Sequence, residues 1–348
     1  MHMADALISP AVGGVMWVAT VAAGAVSARA VARQDDDQRL PLMGVLGAFV
    51  FAAQMVNFSI PATGSSGHLG GGLLLAALLG PYAGFLVMAS ILAVQALFFA
   101  DGGLLAYGCN VFNLAFYTCF VVYPLIFKPM ARRSLRAGSI FGASLLAAIV
   151  GLQLGAFSVV LQAFLSGRTE LPFAAFLLLM QPIHLAIGIV EGLVTASILA
   201  IVHLARPEVL SSSLSQKRYK GDSLRPLVLG GILLALIAGG FLSWFASARP
   251  DGLEWSIAGA SEKEDLEVAG GVHETFALIQ DRTAILPDYE FRSVENAVAS
   301  GKAVSSWPAA SAGTSLSGIL GAGIVLAIVG LAGIAVRLIR KKRTGAGV

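Results

Sequence analysis

Residues 173–204 read FAAFLLLMQPIHLAIGIVEGLVTASILAIVHL, a run in which Glu191 is the only acid and neither Lys nor Arg occurs. It exceeds the roughly 20 apolar residues that a helix needs to cross a bilayer core of about 30 Å, and so predicts a membrane-spanning helix. An ionisable side chain at that depth is expensive and marks a functional candidate. His184 and Glu191 stand two helical turns apart and share one face. Metal ligation, a structural hydrogen-bonded pair and a contact to a partner subunit all fit that placement.

Working outward, apolar runs recur near residues 12–33, 41–58, 69–80, 82–100, 107–127, 138–165, 226–246 and 316–337. With 57% hydrophobic and 12% charged residues and a mean hydropathy of +0.81, most of the chain belongs in lipid. The run at 69–80 is short and ends at the Gly80-Pro81 break. It suits a re-entrant half-helix, tolerated where neighbouring protein satisfies its backbone. The expected fold is an all-α polytopic membrane protein. It comprises a bundle of about seven helices, then two further transmembrane helices flanking a small extracytoplasmic domain. Residues 1–205 form the bundle; 206–225, with Pro207 and Ser211-Ser212-Ser213, read as a cytoplasmic linker. Residues 226–345 form an accessory module whose part 247–315 lies between its two spans.

Charge sets the orientation. Arg29, Arg33 and Arg39 follow the first span, Lys128, Arg132, Arg133 and Arg136 the fifth. Arg206, Lys217, Arg218, Lys220 and Arg225 follow the seventh, and Arg337, Arg340, Lys341, Lys342 and Arg343 the ninth. These 17 of the 23 Lys and Arg fall on one side if nine segments alternate, and the positive-inside rule makes that side cytoplasmic. The chain is thus expected in the cell (inner) membrane, with its amino terminus outside and its carboxyl terminus in the cytoplasm. A cleavable signal peptide fits poorly, because residues 1–28 carry Asp5 and no Lys or Arg, although Ser27-Ala28-Arg29-Ala30 looks like a cleavage site. Residues 249–302 hold eleven acids and five bases, a surface that either concentrates cations or is merely solvated. In the last span, Ser317/Gly321 and Gly318/Ala322 suit close helix packing.

Met1-His2 carries chelate chemistry. The Met1 amine, the deprotonated His2 amide and the His2 imidazole Nδ1 close one five-membered and one six-membered ring. An imidazole from His68, in a glycine-rich loop expected on the same side, would supply a fourth nitrogen. Planar nitrogen ligation suits Ni(II) or Cu(II), whereas zinc prefers a tetrahedral set. Ligation displaces protons from the amine (ordinarily roughly 7.7–8.0) and the imidazole (roughly 6.5), so affinity rises with pH.

The remaining polar residues have structural readings too. Asp101 caps a turn at an outer helix end; Asn57, Gln95, Asn110 and Asn113 face the bundle interior. Asn57 and Asn113 are candidates for orienting a histidine ring. His203 reads as a snorkelling boundary residue and His273 as a solvated one. Cys109 and Cys119 form no CxxC pair and exclude a disulfide framework. No GxxxxGK[ST] occurs, Ser300-Gly301-Lys302 lacking its flanking residues, so uphill transport would draw on a partner or an ion gradient.

Several stretches then resemble one family. MHMADALISP (residues 1–10) is similar to the MHIADGFLSP opening of the CbiM/NikM proteins, the substrate-capture components of energy-coupling-factor transporters for cobalt and nickel. FAAQMVNF (51–58), GSSGHLGG (64–71), FFADGG (98–103), GCNVFN (108–113) and His184 to Gly192 follow that family's motifs in order. RPDGLEW (249–255) resembles the signature of the PDGLE domain, an accessory of these transporters, and LPDY (286–289) fits the same domain. The resemblance implies Co(II) or Ni(II) as transported substrate, with no resident cofactor. It places the ion on the Met1 amine, the His2 amide and ring, and His68. It also implies a T-type transmembrane coupling protein and two cytoplasmic ATPase subunits as partners, within the lipid bilayer and without nucleic acid. Met3 and Ala6 replace the usual Ile and Gly and remove no ligand.

A rival reading is an intramembrane serine protease, with Ser66 of Gly64-Ser65-Ser66-Gly67 as nucleophile and His184 as base. It leaves Met1-His2 and the PDGLE-like stretch unexplained. Ser66 otherwise joins Asn57, Asp101, Asn113, His184 and Glu191 as a supporting or structural polar residue.

Overall fold

Ser9 starts the first helix: its hydroxyl accepts the Val12 N–H, and Pro10 takes the first turn, where its missing donor is harmless. Helix α1 then runs Pro10–Arg33, α2 Arg39–Gln54, α3 Gly72–Leu79, α4 Pro81–Phe98, α5 Tyr107–Arg133, α6 Ala137–Ser166 and α7 Phe173–Ala205. After these come α8 Pro207–Ser215, α9 Arg225–Gly240, α10 Gly252–Ala260, α11 Val272–Thr283 and α12 Ala312–Gly345. This computed structural model describes residues 2–34, 36, 39–215, 218–219, 223–261, 270–292 and 307–345, the last ten by backbone alone. Met1, Lys217, Lys220, residues 262–269 of the acidic stretch, Ser300-Gly301-Lys302 and the basic side chains of 337–343 fall outside the described set.

Each of the nine expected runs contains a helix, and the chain is an all-α polytopic membrane protein. Helices α1, α4, α5, α6, α7 and the first part of α12 are long and apolar enough to cross a bilayer. Helices α2 and α9, with 16 residues each, reach about 24 Å. The run at 69–80 yields only the eight-residue α3, buried at every position and about 12 Å long. Gly80, at φ +87°, and Pro81 then reverse the chain into α4, which packs back along α3. His68 before this hairpin and Asp101 after it both lie beside His2, so the hairpin returns to the side it entered.

Small residues set the crossings. A Cβ on Gly192 would lie 2.7 Å from the Leu145 Cα and one on Gly188 3.0 Å from the Ile149 Cα, which brings α7 against α6 and aims Glu191 at the start of α3. Helices α9 and α12 pack on α2 and on each other. Gly318 meets the Gly239 backbone and Gly321 the Phe51 ring, so the small-residue pairs of α12 serve two different neighbours.

Part of the expected linker is ordered helix. In α8 Val209, Leu210, Ser213 and Leu214 are buried, and the hydroxyls of Ser211, Ser212 and Ser215 bond back to preceding carbonyls. Its serine content resembles a loop, but the spacing of Val209, Leu210 and Leu214 makes one apolar stripe.

Candidate metal centre

The amino-terminal segment is seated as a strand would be, between one side chain and one backbone amide. Met3 N–H donates to Asn110 Oδ1 at 2.7 Å, and Asn110 Nδ2 and Gly103 N–H donate to Met3 O at 3.2 and 2.9 Å. Asp5 Oδ1 accepts the Ala106 N–H at 2.9 Å. A Cβ on Gly103 would fall 1.8 Å from that Asp5 oxygen, and Gly102 sits at φ +81° under His2. The two glycines after Asp101 therefore exist so that residues 2–5 can lie against this turn.

His68 is delivered by a two-stranded ribbon, Phe58–Ser59 paired with Ser66–Gly67. Its ring stacks on that of His2, with centroids 5.1 Å apart and planes 12° from parallel. His68 Nδ1 lies 3.0 Å from Leu69 O, which fixes the proton there and leaves Nε2 as the lone-pair nitrogen. Burial pushes the His68 imidazole down to about 4, so it is neutral in ordinary buffers. Beyond it, the Gly70 and Gly71 N–H groups donate to the two oxygens of Glu191 at 2.8 and 3.1 Å. Glu191 thus caps α3 and clamps the His68 loop from α7.

His2 Nδ1 is 2.9 Å from Asp101 Oδ1, while its Nε2 is buried without a hydrogen-bond partner. Chelation through Nδ1 therefore exchanges the Asp101 bond for an ion. Burial alone would raise the Asp101 carboxyl; the adjoining His2 and the Tyr289 hydroxyl outweigh it and hold the group at about 2. Among the described residues no three His, Cys, Asp or Glu side chains converge as a metal cage.

Residues from the far end of the chain close over this point. Ser66 N–H donates to Pro250 O and Ser66 Oγ to Arg249 O, both at 2.8 Å, so residues 249–251 run beside the ribbon. Asp251 then caps α10 reciprocally with Glu254. Burial opposes the charged form of Asp251, yet facing positive charge and the Glu254 N–H hold its carboxyl well below the usual range. A cavity of about 980 Å³ lies between the two parts, with His2, His68, Asp101, Asp251, Glu254 and Asp288 on its wall. With Asp5 its lining holds five acids against Arg249 and three imidazoles, which makes it attractive to cations.

The other candidates take lesser places. Asn57 lines the same cavity, its carbonyl accepting the Ser247 N–H. Asn113 bonds Gln162 and the Met3 sulfur, away from either ring; Asn110 grips the segment that carries His2. His184 is buried, with Nδ1 2.8 Å from Met180 O and Nε2 unpartnered beside Gly252. The Ser66 hydroxyl donates to Arg249 O, and among the described residues no hydrogen bond joins it to His184. His273 is a correction: it is buried, and its Nε2 meets Ile8 O at 2.8 Å, because α11 lies on the amino-terminal segment instead of facing solvent. Tyr289 was not legible as a site residue, although it bonds Asp101; its only signal is its place in LPDY.

The family model described as the cobalt uptake substrate-specific transmembrane region matches residues 2–209, and that of the PDGLE domain matches residues 225–338. The fused nickel transport protein NikMN of Rhodobacter capsulatus is 32% identical, over 95% of this chain and 96% of its own. The cobalt transport protein CbiM of Sorangium cellulosum is 32% identical over 49% of this chain and 76% of its own. Crystal structures of a transition metal transporter and of a truncated one superpose with TM-scores of 0.53 and 0.52 at 31% identity. They cover 62% and 60% of this chain and 98% and 99% of theirs.

Proposed function

Because this chain belongs to the CbiM family of cobalt uptake proteins, with a PDGLE domain fused behind it, we propose that it captures Ni(II) or Co(II) at the outer membrane face. The ion sits on the Met1 amine, the His2 amide and imidazole, and His68. The carrying observation is the stacked pair of His2 and His68, each with Nδ1 tied to an oxygen, at the base of an acid-walled cavity. Amine and amide nitrogens complete the planar set that two imidazoles alone cannot make, and planar nitrogen ligation suits Ni(II) better than zinc.

The chain is a transporter component of a metal transport family, and the free energy for uptake comes from elsewhere: a T-type membrane coupling protein with two cytoplasmic ATPases. Residues 1–205 are the capture domain, 206–225 the linker and 226–345 the accessory module. The amino terminus faces outward and the carboxyl terminus the cytoplasm. In support, the 24 residues of α1 carry the chain about 36 Å from the His2 end to Arg33, where the basic clusters begin.

Replacement of either histidine tests the reading. His2→Ala and His68→Ala are each expected to abolish nickel and cobalt binding by the purified chain and uptake by cells, with membrane insertion intact. Undiminished binding in both variants overturns the assignment. The protease alternative predicts peptide cleavage that depends on Ser66, whose hydroxyl here donates to Arg249 O and not to His184.

A further inference from the structure

The last turn of α4 and the loop after it are held by the accessory module. Gln280 Nε2 donates to Ala96 O and Gly102 O at 2.9 and 2.8 Å. Ile285 and Leu286 N–H donate to Phe98 O, and Asp288 N–H to Phe99 O at 2.8 Å. The Ala96, Phe98 and Phe99 carbonyls are ones that a helix end leaves unpaired, so residues 280–288 act as the C-cap of α4. Three residues without glycine's freedom meet there at positive φ: Ala100 at +56°, Asp288 at +51° and Tyr289 at +63°. Such conformations persist where the surroundings over-determine them, and they collect at functional contacts. At their centre the Tyr289 hydroxyl donates to Asp101 Oδ2 at 2.5 Å, while Asp101 Oδ1 holds His2 Nδ1. The Tyr289 ring is stacked on Phe99, with centroids 5.0 Å apart, and meets the edge of Phe51.

We propose that the accessory module regulates metal capture through this hydroxyl: Tyr289 shares the Asp101 carboxylate with His2 and so sets how readily the His2 ring leaves Asp101 for an ion. The inference rests on the metal-site reading above. Two donors on one carboxylate draw on the same negative charge, and each weakens the other's bond. With Tyr289 in place His2 is held in position but loosely. Without the hydroxyl, Asp101 turns its whole charge on His2, and the ion must displace a stronger bond. Tyr289 is thus a positioning residue that acts through Asp101 and touches no ion itself.

Tyr289→Phe removes the hydroxyl and keeps the ring in its stack, so folding is preserved. Nickel titration calorimetry on the full-length chain in detergent is the test, using nickel chloride alone as the probe. The variant is expected to lose about tenfold in affinity, close to the net worth of one hydrogen bond to a charged group. Added to Asp101→Ala, the same change is expected to do nothing more, and in the metal-free Tyr289→Phe protein the ¹⁵N signal of His2 should shift. Unchanged affinity, or an equal loss in both backgrounds, overturns the coupling. His2→Ala in parallel separates the two readings. If it loses nickel while Tyr289→Phe does not, the coupling alone fails; if it binds as the parent does, the site assignment fails and takes the coupling with it.

Discussion

Two short segments from opposite ends of the sequence, residues 2–5 and 249–251, are laid against neighbouring loops around the same pair of imidazoles, and they are fastened differently. The first is gripped through its own backbone by Asn110 and Gly103, with Met3 wholly buried behind His2. The second touches the ribbon through Ser66 and is then carried away by the Asp251 cap of α10. The glycines beside them differ in the same sense. A side chain at Gly103 would strike Asp5, including its backbone nitrogen at 2.5 Å, whereas one at Gly252 would meet Ile183 Cγ2 at 2.6 Å and the His184 ring at 3.3 Å. At its glycine the ligand-presenting segment meets a backbone nitrogen as well as a carboxylate, whereas the covering segment meets side chains alone.

The largest effect that probes this contrast is expected from Gly103→Ala. Backbone cannot step aside, so residues 2–5 must leave their seat and nickel binding is lost, while Gly252→Ala costs only about 1–3 kcal/mol of overpacking and leaves binding within a few-fold. Metal content of the two purified variants decides it. Equal retention of nickel would mean that the amino-terminal segment does not depend on this close approach.

Acid supplies a smaller effect, confined to the loop between the two segments. His68 is held near 4 by burial, below its ordinary value of 6.5. The unfolded chain therefore binds more protons at this residue between those values, and the folded state loses stability as pH falls from 6.5 toward 4. Above that window the contribution is fully present. Melting temperatures from pH 7 to 4 should consequently drop more steeply for the parent than for His68→Ala. Parallel curves would show that His68 is not buried as a neutral ring.

The fold was largely legible, because long apolar runs such as 173–204 and the grouping of Arg and Lys leave few arrangements open. The half-helix was legible too, from the brevity of 69–80 and from Gly80-Pro81. Helix α8 was not, since Ser211-Ser212-Ser213 gives a loop's composition while the burial of Val209, Leu210 and Leu214 depends on what lies beneath them. At the site, His2, His68 and Asp101 came from local sequence, and the structure brings them together. The contacts of Tyr289 and His273 join residues more than 180 positions apart, and a polar helix such as α11 carries no sign of which face is docked. Asn110 was visible as an interior polar residue, but its grip on a backbone amide follows only from the approach of residues 2–5.

The smallest expected effect falls on the covering segment. Ser66→Ala removes the hydroxyl bond to Arg249 O at 2.8 Å and keeps the backbone bond from Ser66 N–H to Pro250 O. One neutral hydrogen bond contributes about 1 kcal/mol net, so residues 249–251 should stay docked and nickel affinity should change by less than tenfold. Calorimetry on this variant checks the contrast from its weaker side. A loss as large as that of Gly103→Ala would make the covering segment as indispensable as the ligand-bearing one, and complete loss of a peptide-cleaving activity would return Ser66 to the role of a nucleophile.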